Sequence, residues 1–290
     1  MILPFIAQIS LHNQVSGKRV GATDSSPDVA PCCGFSLPAG NPAWSVNCVL
    51  AMEGVAGQVA LITGGGRGIG ACIARLLAQH GAHVMLVART ESQLQQTAQQ
   101  IEAEGGKASY CVADVADETA IRTAVERTRQ ITGRIDILVN NAGSARAALI
   151  EESDPTEWWQ VVESNLKGLY LTTRFVLPVM LEQGRGQIVN MLTIAASRPF
   201  TGLSAYSCAK AAGLMFTRIL AREVRKRGIR IAAVLPGAVD TALWDEFPSA
   251  PERERMIRPE TVAQIVLQII TTPSDASIDE LIVLPPEGIL

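Results

Sequence analysis

From residue 57 onward, short apolar runs alternate with amphipathic stretches. The runs at 58-63, 82-88, 108-113, 135-140, 186-192, 229-235 and 280-284 predict strands; the stretches at 68-80, 91-104, 117-131, 156-182, 205-227 and 259-271 predict helices. Val84-Met85-Leu86-Val87 and Ile137-Leu138-Val139 are continuous apolar segments, the pattern of strands buried on both faces. Regular strand-helix alternation predicts an α/β fold, a single doubly wound domain with a mostly parallel seven-stranded sheet and helices on both faces. Residues 1-52 break the pattern, with Pro4, Pro27, Pro31, Pro38 and Pro42 scattered among glycine and serine and no sustained period. Two expectations stand for them: a disordered N-terminal extension, or a mis-annotated start, since Met52 lies just before the first strand. The folded domain is expected over 53-290.

Thr63-Gly64-Gly65-Gly66-Arg67-Gly68-Ile69-Gly70 falls between the first strand and the first helical pattern. Glycines there let the backbone approach a pyrophosphate, and the free N-H groups of the helix start face its charge, as in a dinucleotide-binding Rossmann fold. A tight turn that binds nothing is the plain alternative. About twenty residues on, where an acidic side chain would take the ribose 2′-hydroxyl of NAD, the chain has Ala88 followed by Arg89. Arg89 and Arg67 suit a 2′-phosphate, which predicts NADP(H) over NAD(H); both could instead be solvated surface charges.

Bulk properties narrow the partners. Hydrophobic residues make up 48% and charged residues 18%, with a formal net charge of -3, a balance that excludes a polyanion-binding surface and hence nucleic acid. No run approaches the roughly 18 apolar residues of a membrane span, and Met1 to Ile9 lack a basic flank, so a cytoplasmic protein is expected. Neither Cys32, Cys33, Cys48, Cys72, Cys111 and Cys208 nor His12, His80 and His83 have metal-ligand spacing, so no metal is expected; His80 and His83 read as surface residues around the turn at Gly81.

Further segments follow in order: Asp114-Val115, Asn140-Asn141-Ala142-Gly143, Tyr206-Ser207-Cys208-Ala209-Lys210 and Pro236-Gly237. With the glycine loop they make the chain resemble the short-chain dehydrogenase/reductase family from about residue 52 to the C-terminus. The resemblance implies cofactor contacts from Gly64, Gly66, Arg67, Gly68, Ile69, Gly70, Arg89, Asp114, Val115, Asn141, Ala142, Gly143, Tyr206, Lys210, Pro236, Gly237, Val239 and Thr241. It implies catalytic roles for Asn165, Thr193, Tyr206 and Lys210, with Asn165 anchoring a water that leads to the lysine, and a homodimer or homotetramer through helices 156-182 and 205-227.

The catalytic pair also follows from chemistry. Tyr206 and Lys210 are four apart on a predicted helix and share a face. An ammonium about 4 Å from the phenolate, at an effective dielectric near 20, attracts it by about 4 kcal/mol before desolvation, an effect expected to bring the tyrosine toward its working range. Two positions depart from the family. Thr193 stands where a serine is usual, keeping the hydroxyl but adding a methyl, and the C-terminal end Asp279 to Pro286 lacks the Gly-Gly tail of many 3-oxoacyl reductases. Leu243 to Arg258, with Trp244 and Phe247, reads as a mobile lid or as a surface loop packed on the body. The sequence thus predicts hydride transfer between NADP(H) and a small to medium, partly apolar carbonyl or alcohol substrate. A 3-oxoacyl thioester reductase and a non-catalytic NADP-binding sensor or scaffold are the alternatives.

Overall fold

Val59–Thr63 forms β1, and all five of its residues are buried. Alternation along it feeds both faces of the sheet: Ala60 and Ile62 pack to one side, Leu61 to the other. The computed structural model describes residues 54–247 and 250–290, so both readings of 1-52 lie outside the described residues. After β1 come α1 (Gly68–Gln79), β2 (His83–Ala88), α2 (Glu91–Ala103), β3 (Lys107–Val112), α3 (Glu118–Thr132), β4 (Ile137–Asn140), α4 (Pro155–Val162) and α5 (Gly168–Gln183). The chain continues through β5 (Gly186–Met191), α6 (Ser204–Val224), β6 (Ile229–Pro236), α7 (Pro259–Ile270) and β7 (Glu280–Val283).

The strands lie in the order β3-β2-β1-β4-β5-β6-β7, and every pairing is parallel. The sheet is therefore wholly rather than mostly parallel. Ile73, Leu77, Leu94, Ile101, Val262 and Val266, from α1, α2 and α7, cover the face of Ala60 and Ile62. Ile121, Val125, Val176, Met180, Leu220 and Val224, from α3, α5 and α6, cover the face of Leu61. Leu61 pairs with Met85 of β2 on one side and Leu138 of β4 on the other. The chain thus reverses its direction of winding between β1 and β4, and their C-terminal ends open on the crevice where doubly wound sheets hold ligands.

A polar chain crosses the apolar interior. Asn140, paired in register with Asn190, donates to the Asn190 side-chain oxygen at 2.8 Å and to Thr173 of α5 at 2.9 Å. Asn190 in turn donates to Thr217 of α6 at 2.8 Å, and all four residues are buried. The Asn140 amide nitrogen and both polar atoms of Asn190 are satisfied this way, while Asn140 Oδ1 stays without a partner among the described residues.

Two expectations are corrected. The single helix at 156-182 is interrupted between α4 and α5 by a π-helical turn, Glu163–Lys167. Within it the Asn165 side chain donates to the carbonyls of Val161 and Ser144, competing with the backbone for the first and drawn inward by the second, which widens the turn. His83 is not a surface residue: it is half-buried in β2, 2.9 Å from the Ser109 hydroxyl, and burial together with Lys107 holds its pKa below the usual value. Among the described residues no helix is long and apolar enough to cross a membrane.

Candidate active site

The turn after β1 is braced from the next strand. The Thr63 hydroxyl accepts from the backbone N-H groups of Asn141 and Ala142 at 3.0 and 3.1 Å, while Asn141 Nδ2 donates to the Thr63 and Gly64 carbonyls. Gly64 and Gly68 hold φ angles of +67° and +56°, a region in which a β-carbon is strained. No side chain caps α1, and its first turn carries no acid. The helix therefore presents free N-H groups and its positive dipole end to the cleft. By contrast, Asp117 and Asp154 cap α3 and α4.

This turn forms one wall of a cleft of about 290 Å³ across the C-terminal ends of the strands. At one end stand Arg67, Arg89, Thr90 and Gln93. Arg89 is largely exposed, its guanidinium 3.9 Å from the Asp114 carboxylate, and Asp114 also accepts from Ala116 N-H at 2.9 Å. Two cations against one acid leave this end net positive, with the Arg89 fork free to turn toward an anion.

The other end carries a hydroxyl, a phenol and an ammonium. Thr193 follows β5, Tyr206 lies in the first turn of α6, and Lys210 lies one turn further on. Lys210 is buried and donates to the Met191 carbonyl at 2.9 Å, with its ammonium 5.7 Å from the centre of the Tyr206 ring. Burial pushes the Tyr206 phenol up to about 12, opposed by its hydrogen bond with Thr193. Burial likewise pushes Lys210 down to about 8. Burial thus acts on the phenol in the direction opposite to the pull expected from the lysine, whose ammonium lies over the ring. The phenol is poised as a proton donor.

Asn165 completes this end. Its Nδ2 donates to the carbonyls of Ser144 and Val161 at 2.6 and 2.8 Å, while its buried Oδ1 has no protein partner. Ser144 and Ser164 share a 2.7 Å hydrogen bond beside it.

Gly64, Gly66, Arg67, Gly68, Ile69, Arg89, Asp114, Val115, Asn141, Ala142, Gly143, Asn165, Tyr206, Lys210, Pro236 and Thr241 all line the cleft. Gly70, Gly237, Val239 and Thr193 do not, and each instead supports its wall. A β-carbon on Gly70 would run into the Gly64 carbonyl; one on Gly237 would press Leu284 and Pro285; Val239 is buried and bridges to Ile257. Thr193 is turned onto Tyr206. Ser197, the nearest serine, donates to the Ile194 carbonyl. Sequence reasoning missed Thr90, Gln93, Ser144, Ser164 and Leu192, which also line the cleft, as does Leu243 at the start of the segment read as a lid or a packed loop. Thr90, Ser144 and Ser164 adjoin residues that were singled out, so adjacency was the available signal.

A family model described as short chain dehydrogenase matches residues 58–252. An uncharacterized oxidoreductase of Staphylococcus aureus (strain MW2) is 32% identical over 228 residues, which cover 79% of this chain and 97% of the relative. Among solved structures, a metagenomic short-chain oxidoreductase in complex with NADP aligns with a TM-score of 0.72 at 32% identity, covering 80% of this chain and 99% of that one. A 3-ketoacyl-ACP reductase from Sinorhizobium meliloti 1021 gives 0.72 at 31% identity, over 79% and 98% of the two chains. The wholly parallel sheet, the glycine turn at its switch point and the tyrosine-lysine pair on α6 agree with these matches, and the chain belongs to the short-chain dehydrogenase family of oxidoreductases.

Proposed function

We propose that the protein transfers hydride between NADP(H) and a carbonyl or secondary alcohol, with Tyr206 as general acid and base. The observation that carries this reading is the meeting of Tyr206, hydrogen-bonded from behind by Thr193, with Lys210 at one end of a cleft whose other end is cationic.

The cleft suits a dinucleotide phosphate on two counts: the uncapped start of α1 and the net positive end at Arg67 and Arg89. Gly66, Gly68 and Ile69 would hold the pyrophosphate, Arg67 and Arg89 the 2′-phosphate, Asp114 and Val115 the adenine, and Lys210 and Thr241 the nicotinamide half. NADP bound to the metagenomic relative supports the choice of cofactor. When bound, the cofactor supplies hydride to, or removes it from, the substrate carbon.

The chain's own contribution is the proton. The phenol of Tyr206, protonated at neutral pH, donates to a carbonyl oxygen in reduction; Thr193 shares that oxygen and fixes its position. In oxidation Tyr206 must first lose its proton, and the Lys210 ammonium one turn away stabilises the phenolate that forms. The orphan acceptor of Asn165 suits a water that passes protons to Lys210. Leu192 and Leu243 give the cleft an apolar side, which favours a partly apolar substrate.

Purified protein should oxidise NADPH with at least one member of a carbonyl panel, followed by loss of reduced-nicotinamide absorbance. Absence of both NADPH binding and turnover would sink the reading. The likeness to a 3-ketoacyl-ACP reductase favours acetoacetyl thioester as a second substrate class to include in that panel. Exposed Tyr170 on α5 and Met215 and Ile219 on α6 support a homodimer or homotetramer, and a cytoplasmic location belongs to the same proposal.

A further inference from the structure

The turn after β6 closes the cleft from the side opposite the glycine loop, and one side chain holds it together. Arg253 donates through Nη1 to Asp240 Oδ1 at 2.8 Å and to the Thr241 carbonyl at 2.7 Å, and through Nη2 to Asp245 Oδ1 at 2.6 Å. These acceptors bracket Thr241, Ala242 and Leu243, the residues by which the turn reaches the cleft. Two more ties reinforce the base of the turn: Trp244 Nε1 donates to the Val239 carbonyl at 3.0 Å, and Asp240 N-H donates to the Ile257 carbonyl at 2.9 Å.

Single exposed ion pairs contribute little, because water competes for both partners. A planar guanidinium with three acceptors on one short turn differs, since its fixed fork sets the spacing between them. The turn also reaches across to the glycine loop: the Thr241 methyl lies 3.5 Å from where a β-carbon on Gly68 would stand. A shift of the turn would therefore move the far wall of the phosphate site and the Thr241 side chain together.

We infer that Arg253 is a positioning residue that fixes the Asp240–Asp245 turn for the nicotinamide half of the cofactor. The inference rests on the NADP(H) reading. It predicts an effect confined to one half of the ligand. Adenosine 2′-monophosphate carries the adenine and the 2′-phosphate but neither the pyrophosphate nor the nicotinamide, so it engages the Arg67 and Arg89 end alone.

The test measures dissociation constants of the full chain for NADPH and for adenosine 2′-monophosphate by titration calorimetry. Arg253→Ala should weaken NADPH by about tenfold and leave the monophosphate within about twofold, the size expected for losing charge-assisted hydrogen bonds at one end only. Arg253→Lys, a point charge without the fork, should fall between parent and alanine, and Asp245→Asn should shift NADPH in the same direction by a smaller factor. Equal weakening of both ligands would assign Arg253 a general structural role and overturn the inference, as would unchanged NADPH affinity. A parent protein that binds neither ligand would overturn the NADP(H) reading and the inference with it. Binding of both by the parent keeps the two questions separate.

Discussion

The side-chain oxygen of Asn165 fills the space that a β-carbon on Gly143 would take, with the Lys210 ammonium just beyond it. The glycine thus admits a buried acceptor that has no hydrogen-bond partner among the described residues. Gly143→Ala should push the Asn165 amide off its hydrogen bonds to Ser144 and Val161, costing about 1–3 kcal/mol of stability by overpacking and tenfold or more in turnover. Urea unfolding and steady-state rates check this; a variant with parental values in both would show that the amide has room to move.

Tyr206→Phe keeps the ring and removes the proton. Its kcat should fall by roughly 10²–10⁴-fold, the usual contribution of a positioned acid, with NADPH affinity near that of the parent. Near-parental turnover would refute the assignment of Tyr206.

Arg89→Asp replaces the exposed cation with the acid that suits a free ribose 2′-hydroxyl, beside a carboxylate already present at Asp114. The ratio of NADPH to NADH dissociation constants should rise by about tenfold or more, the size expected for losing charge-assisted hydrogen bonds, and NADH should become the preferred ligand. Equal affinities of the parent for the two would defeat the arginine argument before any mutation.

Burial of Lys210 makes stability depend on pH. Between about 8, its value in the folded protein, and 10.5, its ordinary value, the unfolded chain binds a proton that the folded one does not. Stability from this group therefore rises with pH across that window, and the cost of burying the charge is complete below it. Tyr206 acts oppositely between 10.0 and about 12, where the folded chain keeps the extra proton. Lys210→Met should thus be more stable than the parent at pH 7 by about 2 kcal/mol, after loss of the bond to Met191, and that advantage should shrink as pH approaches 10. Urea midpoints of the two proteins at a series of pH values provide the measurement; a pH-independent difference would contradict it.

The strands were legible because fully buried parallel strands are apolar throughout, as Val59–Thr63 and Ile137–Asn140 are apart from their polar last residues. Tyr206 and Lys210 were legible because four residues on a helix make one face. The π turn at Glu163–Lys167 was not: it depends on where Ser144 puts its carbonyl, 21 residues earlier in the chain. Nor was the state of the phenol, since spacing gives the attraction of Lys210 but not the desolvation that opposes it. Arg253 carried no motif, and its meaning lies in three acceptors that only the folded turn gathers.

The amide pair Asn140 and Asn190 has a consequence for how the chain finds its fold. Where the two strands that lead to Asn141 and Thr193 meet, Leu138 faces Ile188 and Val139 faces Val189, and an offset would bury aliphatic pairs of similar area. A slip by one residue would part Asn140 from Asn190 and break the hydrogen bond between them, at about 1–3 kcal/mol. The pair works as an alignment mark inside the sheet, rejecting offset assemblies before the catalytic groups are brought together.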